Sequence, residues 1–173
     1  QMCIRDSIRI VKTDAVDGSS LAGAIFEIRA SGDIVRPDGS IAALDGETVA
    51  TVTTDETGEA RADNLPLGSG TARYEVVETQ APAGFLLDQT THIVDLTYAD
   101  QKTPVVEARL NVSDDYTKVD ISKVDASGEQ EVEGAQLTLY GPDKTEIDSW
   151  TSSDKPHRVE HLAPGTYSLR EMM

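Results

Sequence analysis

The sequence predicts an all-β fold built from two β-sandwich domains in tandem, the second of them incomplete. Three observations lead to this prediction. Almost every segment alternates apolar and polar residues with the period of two that is typical of β-strands, and Val, Ile and Thr are frequent there. Gly, Pro and Asp stand at the breaks between segments, where turns form. Finally, the motifs of the first part of the chain recur in the same order in its last part.

The repeat has two unequal copies. Three pairs of motifs recur: IRIVKTD and VDISKVD, GAIFEI and GAQLTL, and YEVVE and YSLRE. The first two pairs are offset by 111 residues and the third by 93, so the first copy is 18 residues longer. Most of this excess falls in residues 31–46, where Pro-Asp-Gly and Asp-Gly sequences predict an extra surface hairpin or loop.

Domain boundaries follow from the repeat. Residues 1–7 lack the apolar stretch and the cleavage site of a signal peptide, and we interpret them as a non-native or disordered leader. Residues 8–115 are predicted to form a complete sandwich of short strands at regular spacing. Residues 116–173 are predicted to form a second, truncated one.

The second copy stops early. After Glu78 the first copy continues through two further predicted strands, at residues 90–97 and 105–114. After Glu171, which matches Glu78, the second copy has only two more residues. We therefore expect the second domain to lack its closing strands.

Composition narrows the classes of partner. The 173 residues carry 15 Lys and Arg against 31 Asp and Glu, a net charge of −16 that repels nucleic acids and anionic membrane surfaces. No apolar run approaches the roughly 18 residues of a membrane helix. The single cysteine, Cys3, cannot form an internal disulfide, so any covalent reinforcement needs other chemistry.

The alternation of side chains along each strand places some polar residues on the apolar, core-facing side. Alternate residues of a strand share one face, and in five places the apolar row contains a Lys, Glu or Asp. These core-facing residues are Lys12, Glu78 and Asp114 in the first copy and Lys123 and Glu171 in the second. Asn111 lies on the opposite, polar row of its strand.

A lysine converging with two carboxyl groups in a core indicates either a polar cluster or a reaction that removes charge. Burial disfavours charged forms, so the Lys12 amine could attack the Asp114 carboxyl while Glu78 polarises the carbonyl and shuttles protons. The product is a neutral amide, and water leaves. If Asn111 were the acceptor, ammonia would leave instead.

The motifs that surround these residues resemble a known family. They are KTD from Lys12, LAGAIF, TDETG, NLPLG and, above all, YEVVETQAPAGF around Glu78. They are similar to the collagen-adhesin B-type, or SpaA-like, prealbumin-like domains of Gram-positive pilins and surface adhesins, and the similarity covers nearly the whole chain after Ser7. The segment around Glu78 resembles the "E-box" of that family.

The resemblance implies a prealbumin-like or Ig-like sandwich closed by an intramolecular isopeptide bond. The bond runs from a first-strand Lys to a last-strand Asn or Asp, with help from the E-box Glu. The matching residues are Lys12, Glu78 and either Asp114 or Asn111. In the second copy Lys123 and Glu171 match, without an acceptor.

Two metal-like motifs do not fit their context, and no cofactor is expected. His157-Arg-Val-Glu-His161 has the spacing of a zinc peptidase motif, but it lies in a predicted strand, where residues four apart are separated by roughly 13 Å. The Asp-rich segment at residues 14–18 lacks the alternating ligands of a calcium loop and predicts a turn.

The functional prediction is a structural stalk or shaft module of a pilin or adhesin on the wall-anchored surface of a Gram-positive bacterium. It is not an enzyme, beyond a single autocatalytic cross-link. Its expected partners are neighbouring domains of the same protein and, in one alternative, host extracellular matrix or glycan. A second alternative is a non-catalytic accessory domain of a secreted hydrolase.

Overall fold

The computed structural model describes residues 6–97, 106–128 and 130–172, and every regular element in these ranges is a β-strand. The chain divides into two compact units. The first comprises Gln1–Pro82 and Leu86–Asp115, and the second comprises Ala83–Phe85 and Tyr116–Met173. In the part of the chain that the structure describes, no helix could cross a membrane.

The first unit is a sandwich of two sheets with one added hairpin. Its strands are β1 (Ser7–Asp14), β2 (Ile25–Ala30), β3 (Ile34–Val35), β4 (Ile41–Ala43), β5 (Thr48–Thr53), β6 (Glu59–Asp63), β7 (Thr71–Gln80), β8 (His92–Thr97) and β9 (Glu107–Asp114). One sheet has the order β6-β1-β9 and the other β5-β2-β7-β8. Strands β3 and β4 form the predicted hairpin within residues 31–46.

The first and last strands of this unit are neighbours. β1 pairs with β9 in parallel over its whole length, and the register sets Lys12 opposite Val112 and Asp14 opposite Asp114. The alternating apolar residues of β1, β2 and β7 fill the space between the sheets. Those that are fully buried are Ile8, Ile10, Phe26, Ile28, Tyr74 and Val76.

The predicted leader extends too far at its C-terminal end. Ser7 is the first residue of β1 and is paired with both β6 and β9, and Asp6 is buried as well. A residue held by two neighbouring strands belongs to the domain. The other leader residues, 1–5, lie outside the described residues, as does the first residue of the predicted strand at 105–114.

The second unit repeats part of this plan. Its strands are β10 (Lys118–Ile121), β11 (Gln136–Tyr140), β12 (Glu146–Thr151), β13 (His157–Glu160) and β14 (Ser168–Met172). They form a β10-β13 pair and a β12-β11-β14 sheet, which match β1-β6 and β5-β2-β7 of the first unit. Among the described residues of this unit, no strand takes the place of β8 or β9.

Backbone geometry shows that the two copies fold alike where they overlap. Gly23 and Gly134, at matching positions before β2 and β11, both have φ of 87°. Asn64 and His161 also match, and both adopt the left-handed region with φ of 58°. A non-glycine residue in that region is uncommon, so its recurrence at equivalent turns indicates one shared chain path.

Candidate functional site

Lys12 lies at the end of the apolar row of β1, after Ile8 and Ile10, and its side chain is fully buried. Its backbone is held on both sides: its N–H donates to the carbonyl of Gly58 at 2.8 Å, and its carbonyl accepts from Leu21 at 3.0 Å. At Gly58, φ is 74° and a Cβ would lie 2.5 Å from the Lys12 carbonyl oxygen. Only glycine fits there, so the TDETG turn positions the lysine.

Glu78 reaches the lysine from the opposite sheet. It lies in β7, its Oε1 is 2.9 Å from Lys12 Nζ, and its side chain is 1% exposed. Its other oxygen, Oε2, accepts a hydrogen bond from the backbone N–H of Asp88 at 2.8 Å. One carboxylate oxygen is therefore anchored by the chain after β7, while the other faces the amine.

Asp114 completes the cluster as the last residue of β9. Its Oδ1 contacts Lys12 Nζ, and its side chain is 1% exposed. The Lys12 amine therefore lies between one carboxyl from β7 and one from β9, although Lys12 and Asp114 are 102 positions apart in sequence. The parallel pairing of β1 and β9 makes this possible, because Asp114 lies two residues beyond the partner of Lys12 on the same face.

Burial raises the pKa of both carboxyl groups above the ordinary value. For Glu78 and for Asp114 the loss of hydration outweighs the lowering of the pKa by the nearby Lys12. Glu78 Oε1 and Asp114 Oδ2 are buried and accept no hydrogen bond of good geometry, although Oε1 forms an ion pair with Lys12 Nζ at 2.9 Å. Protonation of a carboxyl group, which burial favours here, would turn one of its oxygens into a donor.

This arrangement has the parts of an amide-forming site. A nucleophilic amine contacts a carboxyl group, a second carboxyl lies within proton-transfer distance, and bulk water is excluded. Lys12 Nζ is also 5.5 Å from the centre of the Phe26 ring, so the amine is bounded by an aromatic face as well as by carboxyl groups. The assigned roles of Lys12, Glu78 and Asp114 stay predictions.

Asn111 does not join the cluster. It is exposed, it pairs in register with Val11 on the outward row, and its Oδ1 accepts from Arg109 Nε at 3.3 Å. The alternation of side chains along β9 is the reason, because residues three apart point to opposite faces.

The second copy brings its two predicted residues together but does not bury them. Lys123 Nζ is 3.0 Å from Glu171 Oε2, and the side chains are 34% and 49% exposed. The expectation that both face a core is therefore wrong for this structure. Their shared orientation follows from strand parity, but the counterparts of β8 and β9 that would cover them are absent from the described residues of the unit.

The histidines of the zinc-like motif are engaged elsewhere. His157 begins β13, stacks on Trp150 at 4.2 Å between ring centroids, and lies 2.7 Å from Asp148 Oδ2. His161 follows the strand and stacks on Tyr116 at 4.4 Å. In residues 6–97, 106–128 and 130–172 the structure describes no group of three side chains that could hold a metal ion.

Sequence reasoning missed the support behind Glu78. The Asp88 side chain accepts from the Thr90 N–H at 2.9 Å and lies 2.7 Å from His92 Nε2, which shapes the turn whose N–H holds Glu78. The Asp-x-Thr spacing is a signal for such an Asx turn. Nothing in the periodicity linked that turn to the E-box strand ten residues earlier.

The comparison with protein families decides the identity of the fold. A model described as the SpaA prealbumin-like fold domain matches residues 6–110 and, a second time, residues 117–173. The chain belongs to this family. The predicted fold class and the SpaA-like resemblance are therefore confirmed, and the two matches cover both units of the SpaA-like chain.

Several solved structures are similar to this SpaA-like chain, which spans less than two thirds of the length of the first two. The Bacillus anthracis TIE protein is 24% identical with a TM-score of 0.52, over 96% of this chain and 28% of that one. A streptococcal ancillary pilin is 23% identical with a TM-score of 0.47, over 100% and 55%. A C-terminal fragment of the pilus adhesin SpaC from Lactobacillus rhamnosus GG is 17% identical with a TM-score of 0.46, over 96% and 74%. No curated protein matches.

Proposed function

We propose that the chain is a structural, force-bearing module of a surface protein of a Gram-positive bacterium, and that its first unit closes itself with an amide between Lys12 and Asp114. The observation that carries the proposal is the contact of Lys12 Nζ with Asp114 Oδ1 in a water-excluded cluster that also contains Glu78. Membership of the SpaA prealbumin-like family supports the surface role. Its partners are neighbouring domains of the same wall-anchored protein.

The reaction is a condensation. A proton passes from the Lys12 ammonium to Glu78, and the neutral amine attacks the carboxyl carbon of the protonated Asp114. A C–N bond forms as a C–O bond breaks: Glu78 delivers the proton with which the Asp114 hydroxyl leaves as water and takes the second proton from the nitrogen, so that a neutral amide and a protonated Glu78 remain. The raised pKa values of Glu78 and Asp114 favour the protonated forms that this sequence needs.

The bond would help the module to resist mechanical force. Tension that enters at the start of β1 and leaves at the end of β9 would pass from Lys12 directly to Asp114, and the chain between them would carry little load. By analogy with a disulfide that closes a loop of about 100 residues, the cross-link would also stabilise the fold by about 4.7 kcal/mol through the unfolded state.

Intact mass spectrometry of the purified 173-residue chain tests the bond. We expect a mass one water below the sequence value, with Lys12 and Asp114 joined in a single branched peptide after digestion. An unaltered mass would rule out the bond, and a loss of ammonia would indicate Asn111. Glu78→Gln should retain the full mass, whereas the matched variant Glu171→Gln should lose water like the parent chain.

Binding to host matrix or glycan is a second candidate function, and the β3–β4 hairpin is the observation that favours it. The hairpin and its flank expose Val35, Ile41 and Leu44, which are 40%, 52% and 53% accessible. This function requires the three side chains to form one contiguous apolar patch, because apolar side chains that are exposed singly are normal on protein surfaces. Replacing all three with Ser should abolish adhesion to immobilised matrix proteins if this function is real, and should leave the water loss unchanged.

A further inference from the structure

Two carboxyl groups contact the Lys12 amine, and either of them could form an amide with it. Glu78 Oε1 lies 2.9 Å from Lys12 Nζ, and Asp114 Oδ1 is in contact with the same nitrogen. Both carboxyl side chains are 1% exposed, so burial does not distinguish them. A reaction that uses one carboxyl group as the base and the other as the acceptor needs a feature that makes them unequal.

The loop between β7 and β8 contacts the chain beside both carboxyl groups. The backbone N–H of Leu86 donates to the carbonyl of Asp115, the residue after Asp114, at 2.8 Å. Two residues later, the backbone N–H of Asp88 donates to Glu78 Oε2, also at 2.8 Å. The loop is therefore tied to β7 and to the end of β9 at the same time.

The side chain of Asp88 is held in its charged form. Its Oδ1 accepts from the Thr90 N–H at 2.9 Å, its Oδ2 lies 2.7 Å from His92 Nε2, and the side chain is 17% exposed. Burial by itself would raise the pKa of Asp88, but the contacts with Thr90 and His92 outweigh it, so the pKa lies below the ordinary value. Asp88 therefore brings a fixed negative charge to the loop that holds Glu78.

Asp88 acts on the two carboxyl groups in opposite directions. Burial raises the pKa of Glu78, whereas the hydrogen bonds from Lys12 and from the Asp88 N–H lower it, because they favour the carboxylate. Burial likewise raises the pKa of Asp114, Lys12 lowers it, and the negative charge of Asp88 raises it further. The N–H of Asp88 thus favours the charged form of Glu78, while its carboxylate favours the protonated form of Asp114.

We propose that Asp88 is a positioning residue that decides which carboxyl group the amine attacks, since its N–H keeps Glu78 as the base and its carboxylate keeps Asp114 protonated as the acceptor. This inference rests on the proposed function of the first unit. In that condensation Glu78 has to accept the ammonium proton, and Asp114 has to lose a hydroxyl group as water. A carboxylate is a poor acceptor, because its negative charge opposes the addition of an electron pair.

The titratable groups that face Asp114 and Asp88 come from several elements. They include Lys12 and Asp14 of β1, Glu78 of β7, Asp115 after β9 and His92 at the start of β8. Lys12→Ala removes the positive charge in contact with Asp114 and prevents the bond. The effect of Asp88 on Asp114 can therefore be measured in the unreacted Lys12→Ala chain.

Carbon-13 NMR of the aspartate carboxyl groups in the whole 173-residue chain tests the effect of the charge. In the Lys12→Ala background, we expect Asp88→Asn to lower the titration midpoint of Asp114 by about half a unit to one unit of pH, because a nearby negative charge is lost. Asn can still accept from the Thr90 N–H, so the turn is retained. The matched variant Asp95→Asn removes a charge from an exposed ion pair in β8 and should leave the midpoint unchanged.

Bond formation in chains that keep Lys12 tests the consequence for the reaction. We expect newly translated Asp88→Asn chain, sampled over time by mass spectrometry, to lose water about three- to tenfold more slowly than the parent. The reason is that the lowered midpoint reduces the protonated fraction of Asp114 by that factor at any pH well above the midpoint. Asp95→Asn should react at the parental rate. Digestion should locate the amide at Asp114 in the parent, and an amide between Lys12 and Glu78 in the parent would overturn the inference.

The two measurements separate this inference from the proposed function. An Asp114 midpoint that does not move in Asp88→Asn, or that moves equally in Asp95→Asn, overturns the role of the Asp88 charge even where the parent chain has lost its water. Slower water loss with an unmoved midpoint also overturns it, because that result assigns Asp88 a role in the turn alone. A parent chain of full mass overturns the bond instead, while a midpoint that still falls in Asp88→Asn keeps the effect of Asp88 on Asp114.

Discussion

Both copies of the repeat bring a lysine and a glutamate into contact, but only the first copy buries the pair. In the first unit the lysine and glutamate side chains are 0% and 1% exposed, and in the second their counterparts are 34% and 49% exposed. Both pairs lie near 3 Å, so contact alone does not distinguish them. Burial does, because it raises the pKa of Glu78, whereas Glu171 and Lys123 remain in reach of water. The covering strands, more than the residues themselves, create the buried environment of the first pair.

Replacing the two lysines in turn should give the largest difference in stability between variants of the first and the second unit. We expect Lys12→Ala to abolish the water loss and to lower the free energy of unfolding by about 4 to 5 kcal/mol, because the cross-link disappears. Lys123→Ala removes an exposed ion pair and should cost less than about 1 kcal/mol. Chemical denaturation followed by circular dichroism, with mass spectra of each sample, measures both effects.

Asp114→Ala is a second way to prevent the bond, and it leaves Lys12 in contact with Glu78. Asp114→Ala should also keep the full mass and lower stability relative to the parent.

One outcome would contradict the comparison of the two lysines. Equal stability losses for Lys12→Ala and Lys123→Ala would show that burial does not separate the two pairs.

In the Lys12→Ala variant, where no bond forms, the free energy of unfolding should depend on pH. Glu78 and Asp114 have pKa values raised by burial, so the folded state binds more protons than the unfolded state between the ordinary carboxyl pKa and the raised values. Stability from these groups is complete at low pH and is lost as pH rises through the raised values. The slope reaches at most about 1.36 kcal/mol per pH unit for each proton.

Denaturation of Lys12→Ala across a pH series from 4 to 8 measures this slope. In the matched variant Lys123→Ala, the proposed cross-link would consume Lys12 and Asp114 and leave only Glu78 to titrate, so we expect a smaller slope. A Lys12→Ala variant that became more stable as pH rose would contradict the assigned direction of the pKa shifts.

Strand parity was enough to predict which residues meet in the first unit. It placed Lys12, Glu78 and Asp114 on inward rows and Asn111 on an outward one, because the period of two is a property of any strand. Parity could not predict exposure in the second unit, since burial depends on neighbouring strands that are distant in sequence. Nor could it predict that β1 and β9 are parallel neighbours, because sheet order is a long-range property.

Disrupting the Asp88 turn that supports Glu78 should have a smaller effect on stability than replacing Lys12. Asp88→Ala removes the hydrogen bonds to Thr90 and His92 that shape the turn, while the backbone N–H that Glu78 accepts from remains. We expect a loss of about 1 kcal/mol and a larger fraction of freshly purified chain that has not lost water. His92→Ala removes one of these contacts and serves as the milder control. Complete bond formation in Asp88→Ala at the parental rate would show that the turn does not position Glu78.

The smallest expected effect, that of Asn111→Ala, tests the choice of acceptor. Asn111 is exposed on the outer row of β9 and contacts only Arg109 among the hydrogen-bond partners described for its side chain, so stability should change by less than about 0.5 kcal/mol. The mass should still fall by one water, because the Lys12 amine contacts the carboxyl group of Asp114 on the inner row. Asn111→Asp provides the matched control, since it offers a carboxyl group at the outward position. If Asn111→Ala kept the full mass, the acceptor would lie three residues earlier than the geometry indicates, and β9 would have to present its other face to Lys12 when the bond forms.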